Sequence, residues 1–248
     1  MPFDPETLVA IAATFFLAGT VKGVIGLGLP TVSLGVLTVL IDLPSAMALI
    51  IVPGFVTNVW QATVGGHGRA LIRRIWPFLL TATVGIWPGA MVIGLVDVNL
   101  LSGLLGLLLI AYAATALFGL SLTLTERQSR TAGPLFGIPN GILTGMTGSF
   151  MVPGVLYLQG LGLGRDALVQ AMGMLFMLSN VGLAVSLGGS GLLTADLGTA
   201  SALGLIPALL GMAAGQRLRR GLSEKRFRQL FYAGVSLLGL FILLEAIR

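Results

Sequence analysis

There is no cysteine in this chain. Disulfides, thiol catalysis and thiolate metal sites are therefore excluded. Histidine is nearly absent: the single one, His67, lies in a basic loop, which argues against a zinc centre. Charge is scarce, at 9% of residues against about 25% in a soluble domain. With 56% hydrophobic residues and a mean hydropathy of +1.00, the chain cannot cover a soluble surface. Sustained period-2 alternation is missing too, which excludes a transmembrane barrel. Every acid falls at a predicted span end or in a loop, so no buried carboxylate is available to carry a proton or sodium ion. No serine stands beside a base and no metal-ligand cluster occurs. These absences point away from an enzyme, a cofactor, a bound metal and a nucleic-acid partner. The net charge of +5 gathers in loops beside apolar spans, where membrane topology accounts for it. The opening MPFDPET is acidic, unlike a secretory leader.

What is present is long apolar sequence and glycine, 36 residues of it, roughly double the usual share. The fold class is an all-α polytopic membrane protein lying among lipids. Apolar segments run over 7–26, 30–41, 45–64, 75–96 and 100–121. A polar loop, TERQSR, follows, and the pattern restarts over 132–148, 153–163, 167–187, 196–216 and 229–246. The second segment of each half is too short to cross about 30 Å of hydrocarbon at 1.5 Å per residue.

The restart is a repeat, with repeat one at 7–122 and repeat two at 131–247 of a single transmembrane domain. Gly19, Gly23 and Gly26 recur 122 residues later as Gly141, Gly145 and Gly148. Asn58 and Asn180 keep the same offset, and Pro30 returns as Pro153. The pairs Gly85/Gly89 and Gly211/Gly215 also match and suit close helix packing. Each repeat is then a broken-helix hairpin followed by three transmembrane helices. Arginine and lysine concentrate in residues 65–74, 122–131 and 217–228, which the positive-inside rule places in the cytoplasm. Equivalent loops of the two halves thus fall on opposite sides. The repeats are of inverted topology, with both termini outside, an arrangement common in transporters.

Within the first broken segment, GTVKGVIGLGLP, the glycines allow a tight tip and Pro30 suits the first turn of a new helix. The second copy, TGSFMVPG, repeats the design with Thr147, Gly148 and Ser149 at its tip. A broken helix in lipid must be buried or line a cavity. Its tip offers unpaired N–H groups and the positive end of a helix dipole, which suits an anion. Lys22 is the one charge well inside a span, one turn before the first tip, and fits an anion-binding or gating cation; its alternative is snorkelling to an interface. Thr57, Asn58 and Gln61 share a helix face in TNVWQ, and Asn180 stands in the matching LSNVG. Amides in lipid can join helices; their place after the tips favours substrate contact. The candidate substrate-binding residues are Lys22, Gly26, Leu27, Gly28, Asn58, Gln61, Thr147, Gly148, Ser149 and Asn180.

At GTVKGVIGLGLPTVSLGVL and GILTGMTGSFMVPGVLYLQGLGL the chain resembles the TauE/SafE family of membrane permeases, also called TSUP, the sulfite-exporter family. The resemblance spans essentially the whole chain. The family often carries a glycine triplet before each proline; this chain has Gly26-Leu27-Gly28 and Gly148-Ser149 instead. It implies a secondary transporter in a bacterial plasma (inner) membrane, moving sulfite, a sulfonate such as sulfoacetate, or another small sulfur-containing anion. It also implies that the tips around Gly26–Gly28 and Gly148–Ser149 form the substrate site. The expected function is export by alternating access, with the anion held near the midplane by two helix N-termini and Lys22. The alternatives are a carrier for a neutral or cationic molecule and a passive anion channel. A homodimer is left open.

Overall fold

The computed structural model describes residues 3–120, 122–219, 221 and 223–248, and for Glu126 and Glu224 the backbone alone. Among the described residues there are helices and no strand. The first half contains α1 (Pro5–Ile25), α2 (Leu29–Leu40), α3 (Leu43–Leu49), α4 (Ile51–Thr63), α5 (Gly68–Val84), α6 (Ile86–Met91) and α7 (Val98–Leu117). The second contains α8 (Glu126–Thr147), α9 (Gly154–Gly160), α10 (Arg165–Gly189), α11 (Ala195–Leu218) and α12 (Glu224–Ile247).

Five helices are long and apolar enough to cross a membrane: α1, α7, α10, α11 and most of α12. The bent pair α3 and α4 makes a sixth. α8 has 22 residues but opens on Glu126, Arg127 and Arg130 and contains Pro134 and Pro139, so its apolar length is shorter. The helices that do qualify are not amphipathic in the soluble sense. They bury one face against neighbours and expose large apolar side chains such as Leu203, Ile206 and Leu210 outward, as lipid requires.

Two segments that read as continuous spans, 45–64 and 75–96, are interrupted. The first bends by 44° between α3 and α4. The second breaks at Gly85, between α5 and α6. Proline explains both. Pro53 and Pro88 stand in the first turn after each break and cannot donate to the carbonyl four residues earlier. At the first break the loss is made good from outside. Ser201 of α11, buried, donates its hydroxyl to the Leu49 carbonyl at 2.8 Å and accepts from the Val52 N–H at 3.0 Å. Backbone freed within a membrane needs such a partner.

The helices pair across the halves in an exchanged pattern. α1 packs on α11, while α8 packs on α5 and α6; α4 packs on α10, and α7 on α12. Glycine sets the approach. A Cβ on Gly19 would collide with the Ala208 carbonyl, and one on Gly141 with the Ala82 carbonyl. Gly23 lies against Gly215 and Gln216, and Gly145 against Gly89 and Ala90. The matched glycines of the sequence are therefore packing residues. They let helix backbones meet directly, which is how helices associate where lipid offers no hydrophobic drive.

Candidate anion site

α1 ends where Gly26 adopts φ +81°, its N–H still bonded to the Lys22 carbonyl at 2.8 Å. Gly28 follows at φ +105° and caps α2, whose first turn contains Pro30. Both dihedrals lie in the left-handed region that glycine alone enters without strain. The second copy is built alike. α8 ends on Gly148 at φ +72°, its N–H bonded to the Thr144 carbonyl at 2.7 Å. Thr144 occupies the position equivalent to Lys22.

The tips differ in what they do with their polar groups. The second is closed on itself: Thr144 Oγ1 donates to the Ser149 carbonyl at 3.0 Å, and the Ser149 N–H donates to Thr147 Oγ1 at 3.2 Å. The expected free amide of Ser149 is thus engaged by its own turn. At the first tip the Thr31 hydroxyl, in the opening turn of α2, is buried with no partner. The tips also differ in access. A Cβ on Gly26 would meet nothing within 4 Å, whereas one on Gly148 would lie 2.8 Å from Met47 and 3.2 Å from Leu34.

Lys22 sits in the last turn of α1 and is only 5% exposed. Its Nζ donates to Thr57 Oγ1 at 3.0 Å and to Asn58 Oδ1 at 2.5 Å. The Thr57 hydroxyl proton is itself given to the Pro53 carbonyl at 2.7 Å, which turns the oxygen's lone pairs toward the lysine. Among the described residues no carboxylate pairs with Lys22. Two neutral oxygens occupy two of its three N–H bonds.

Lys22 lines a cavity of about 590 Å³. Gly23, Gly26, Thr57 and Gln61 share that wall, and Val169, Met212 and Gln216 face them from the second half. Gly65, Asp166 and Arg219 also line it: Gly65 and Arg219 lie in the basic loops, and Asp166 lies in the first turn of α10. Gln61 is anchored by its Nε2, which donates to the Val169 carbonyl at 2.9 Å. Gln170 mirrors it, donating to the Ala62 carbonyl at 2.9 Å and accepting from the His67 N–H at 2.9 Å.

Of the ten residues expected to bind substrate, Lys22, Gly26 and Gln61 line the cavity, and Asn58 holds Lys22 from behind. Leu27, Gly28, Thr147, Gly148, Ser149 and Asn180 do not line it. Asn180 packs instead against Gly54, one turn before Asn58, and its Nδ2 donates to the Phe176 carbonyl at 2.8 Å. Gln216 and Arg219 were not among the expected residues. Their signal was weak, because they sit at the polar end of a span where topology alone explains a charge. Asn140 was missed as well: it is fully buried and accepts the Gly154 N–H at 2.8 Å, which fixes the start of α9 behind the second tip.

The family model for the sulfite exporter TauE/SafE matches residues 11–242, nearly the whole chain and both tips. The chain belongs to the TauE/SafE family. No curated protein and no solved structure matches it. Members of this family are membrane transporters rather than enzymes, in keeping with the apolar helices.

Proposed function

We propose that the protein exports a small sulfur-containing anion, sulfite or a sulfonate such as sulfoacetate, by alternating access. The observation that carries this reading is Lys22: a buried cation, held by two neutral oxygens, on the wall of a cavity. An ammonium in the membrane without a counter-ion is costly. An anion in the cavity supplies the missing charge. Gln216 and Arg219 add donors along the path.

The exchanged glycine contacts support two repeats related by inverted topology. On that plan each tip serves one side of the membrane. The open space at Gly26 and the side chains covering Gly148 are then two phases of one cycle, seen at the same time. The cavity adjoins Gly65 and Arg219, in loops the positive-inside rule assigns to the cytoplasm. This conformation faces inward. A cavity lined by one tip only favours a carrier over a channel, which needs a continuous path. Direction follows from charge. A potential of about 100 mV, negative inside, favours expulsion of each negative charge by about 2.3 kcal/mol. Export therefore needs no coupling ion.

Proteoliposomes loaded with sulfite or sulfoacetate test the proposal. Efflux should saturate with substrate, exchange against the same anion outside, and accelerate when the loaded side is made negative. Flux without saturation or counterflow would mean a channel. Flux of taurine in preference to sulfoacetate would mean a site for a zwitterion rather than an anion.

A further inference from the structure

A second cavity, of about 580 Å³, lies where the N-terminal ends of α5 and α8 meet. Ala70, Arg73 and Arg74 line it from the first half; Arg127, Ser129 and Arg130 line it from the second. Four guanidinium groups thus share one cleft. Among the described side chains no carboxylate lines it or pairs with any of the four. Arg74 gives Nη2 to the Leu161 carbonyl at 3.0 Å, while its Nε is buried with no partner.

Topology accounts for basic residues on this side but not for their convergence. Positive-inside sorting counts charges in a loop and is indifferent to where they point. Arg127, in the first turn of α8, also runs against the helix dipole. Four of them around one cleft repel each other unless an anion intervenes. Arginine's planar fork matches the oxygens of a phosphate ester. Below the cleft the same two helices turn large apolar side chains outward: Ile72 and Trp76 on α5, Leu135 and Ile138 on α8. A polar head with an apolar track beneath it is the outline of a lipid.

We infer that this cleft is a headgroup site for an anionic phospholipid. Its phosphodiester is held by Arg73, Arg127 and Arg130, with Arg74 adding its charge from the cleft wall, and its acyl chains follow the Ile72/Trp76 and Leu135/Ile138 tracks. Since α5 and α8 come from different halves, the bound lipid ties them together at the membrane surface.

Native mass spectrometry of the intact, purified protein tests this. Phosphatidylglycerol and phosphatidylcholine of identical chains are offered together, with inorganic phosphate as a competitor in a second arm. The expected result is retention of phosphatidylglycerol over phosphatidylcholine by roughly tenfold or more, with no displacement by millimolar phosphate. The triple substitution Arg73→Gln, Arg127→Gln, Arg130→Gln should abolish the preference. Loss of charge there can disturb insertion, so the triple Arg→Lys variant accompanies it. That variant keeps the topological charge but not the bidentate fork, and should fold with a reduced preference. Equal retention of the two lipids by the wild type overturns the inference, as does displacement by phosphate, which would mark a site for a soluble anion. A Lys variant that matches the wild type would overturn the role given to the arginine fork and leave charge alone holding the headgroup.

Discussion

Replacing Ser201 with alanine removes one oxygen from the interior and orphans two backbone groups. The Leu49 carbonyl loses its donor, and the Val52 N–H loses its acceptor. Both sit at the bend between α3 and α4, beside a side chain only 1% exposed, where no bulk water replaces the bonds. An unsatisfied buried polar group costs about 1–3 kcal/mol. Two of them give about 2–6 kcal/mol, and relaxation of the bend favours the lower end, about 2–3 kcal/mol. The assay is unfolding in mixed micelles of rising denaturing-detergent fraction. A second substitution makes the test specific. Pro53→Ala restores an N–H that can reach the Leu49 carbonyl through an ordinary helical bond. In that background Ser201→Ala should cost about 1 kcal/mol less, a coupling that a double-mutant cycle resolves. If Ser201→Ala lies within about 0.5 kcal/mol of wild type, or costs the same in both backgrounds, the hydroxyl does not staple the break.

Three further outcomes are expected. Gly19→Ala and Gly141→Ala should each destabilise by about 1–3 kcal/mol, because the new methyl meets a helix carbonyl, whereas Gly189→Ala, in open space, should stay within about 0.5 kcal/mol; unfolding midpoints check this. The chain has no cysteine, so single-cysteine variants report access cleanly. Without ligand, Gln61→Cys should react with a membrane-impermeant thiol reagent in inside-out vesicles, and Ser149→Cys should be protected from both sides. Thr57→Val removes one of the two oxygens on Lys22 and should lower anion affinity by about tenfold without unfolding the protein, as titration would show.

Much of this architecture was legible in the residues. Glycine at fixed offsets announced both tips and both packing seams, because only glycine serves a left-handed turn or a direct backbone contact. Lys22 stood out because a charge inside a span demands a reason. The breaks at Ile50 and Gly85 were not read, although Pro53 and Pro88 carried the signal; in lipid a proline reads as tolerable until its orphaned carbonyl is traced. Ser201 could not be read at all. A serine in an apolar helix has no visible partner until the fold brings α11 beside the bend. The inequality of the tips was equally hidden. Met47 covers Gly148 while nothing covers Gly26, and that is a property of the conformation rather than of the repeat.

The central claim is that Lys22 completes an anion site. It is tested most directly by thermal stabilisation of the purified protein with sulfite, sulfoacetate, thiosulfate, taurine, sulfate and acetate, wild type beside Lys22→Met. A ligand at 100 times its dissociation constant stabilises by about 2.7 kcal/mol. The account predicts stabilisation by sulfite or a sulfonate in the wild type and its loss in the folded mutant. A mutant that is stabilised as strongly as the wild type would contradict it.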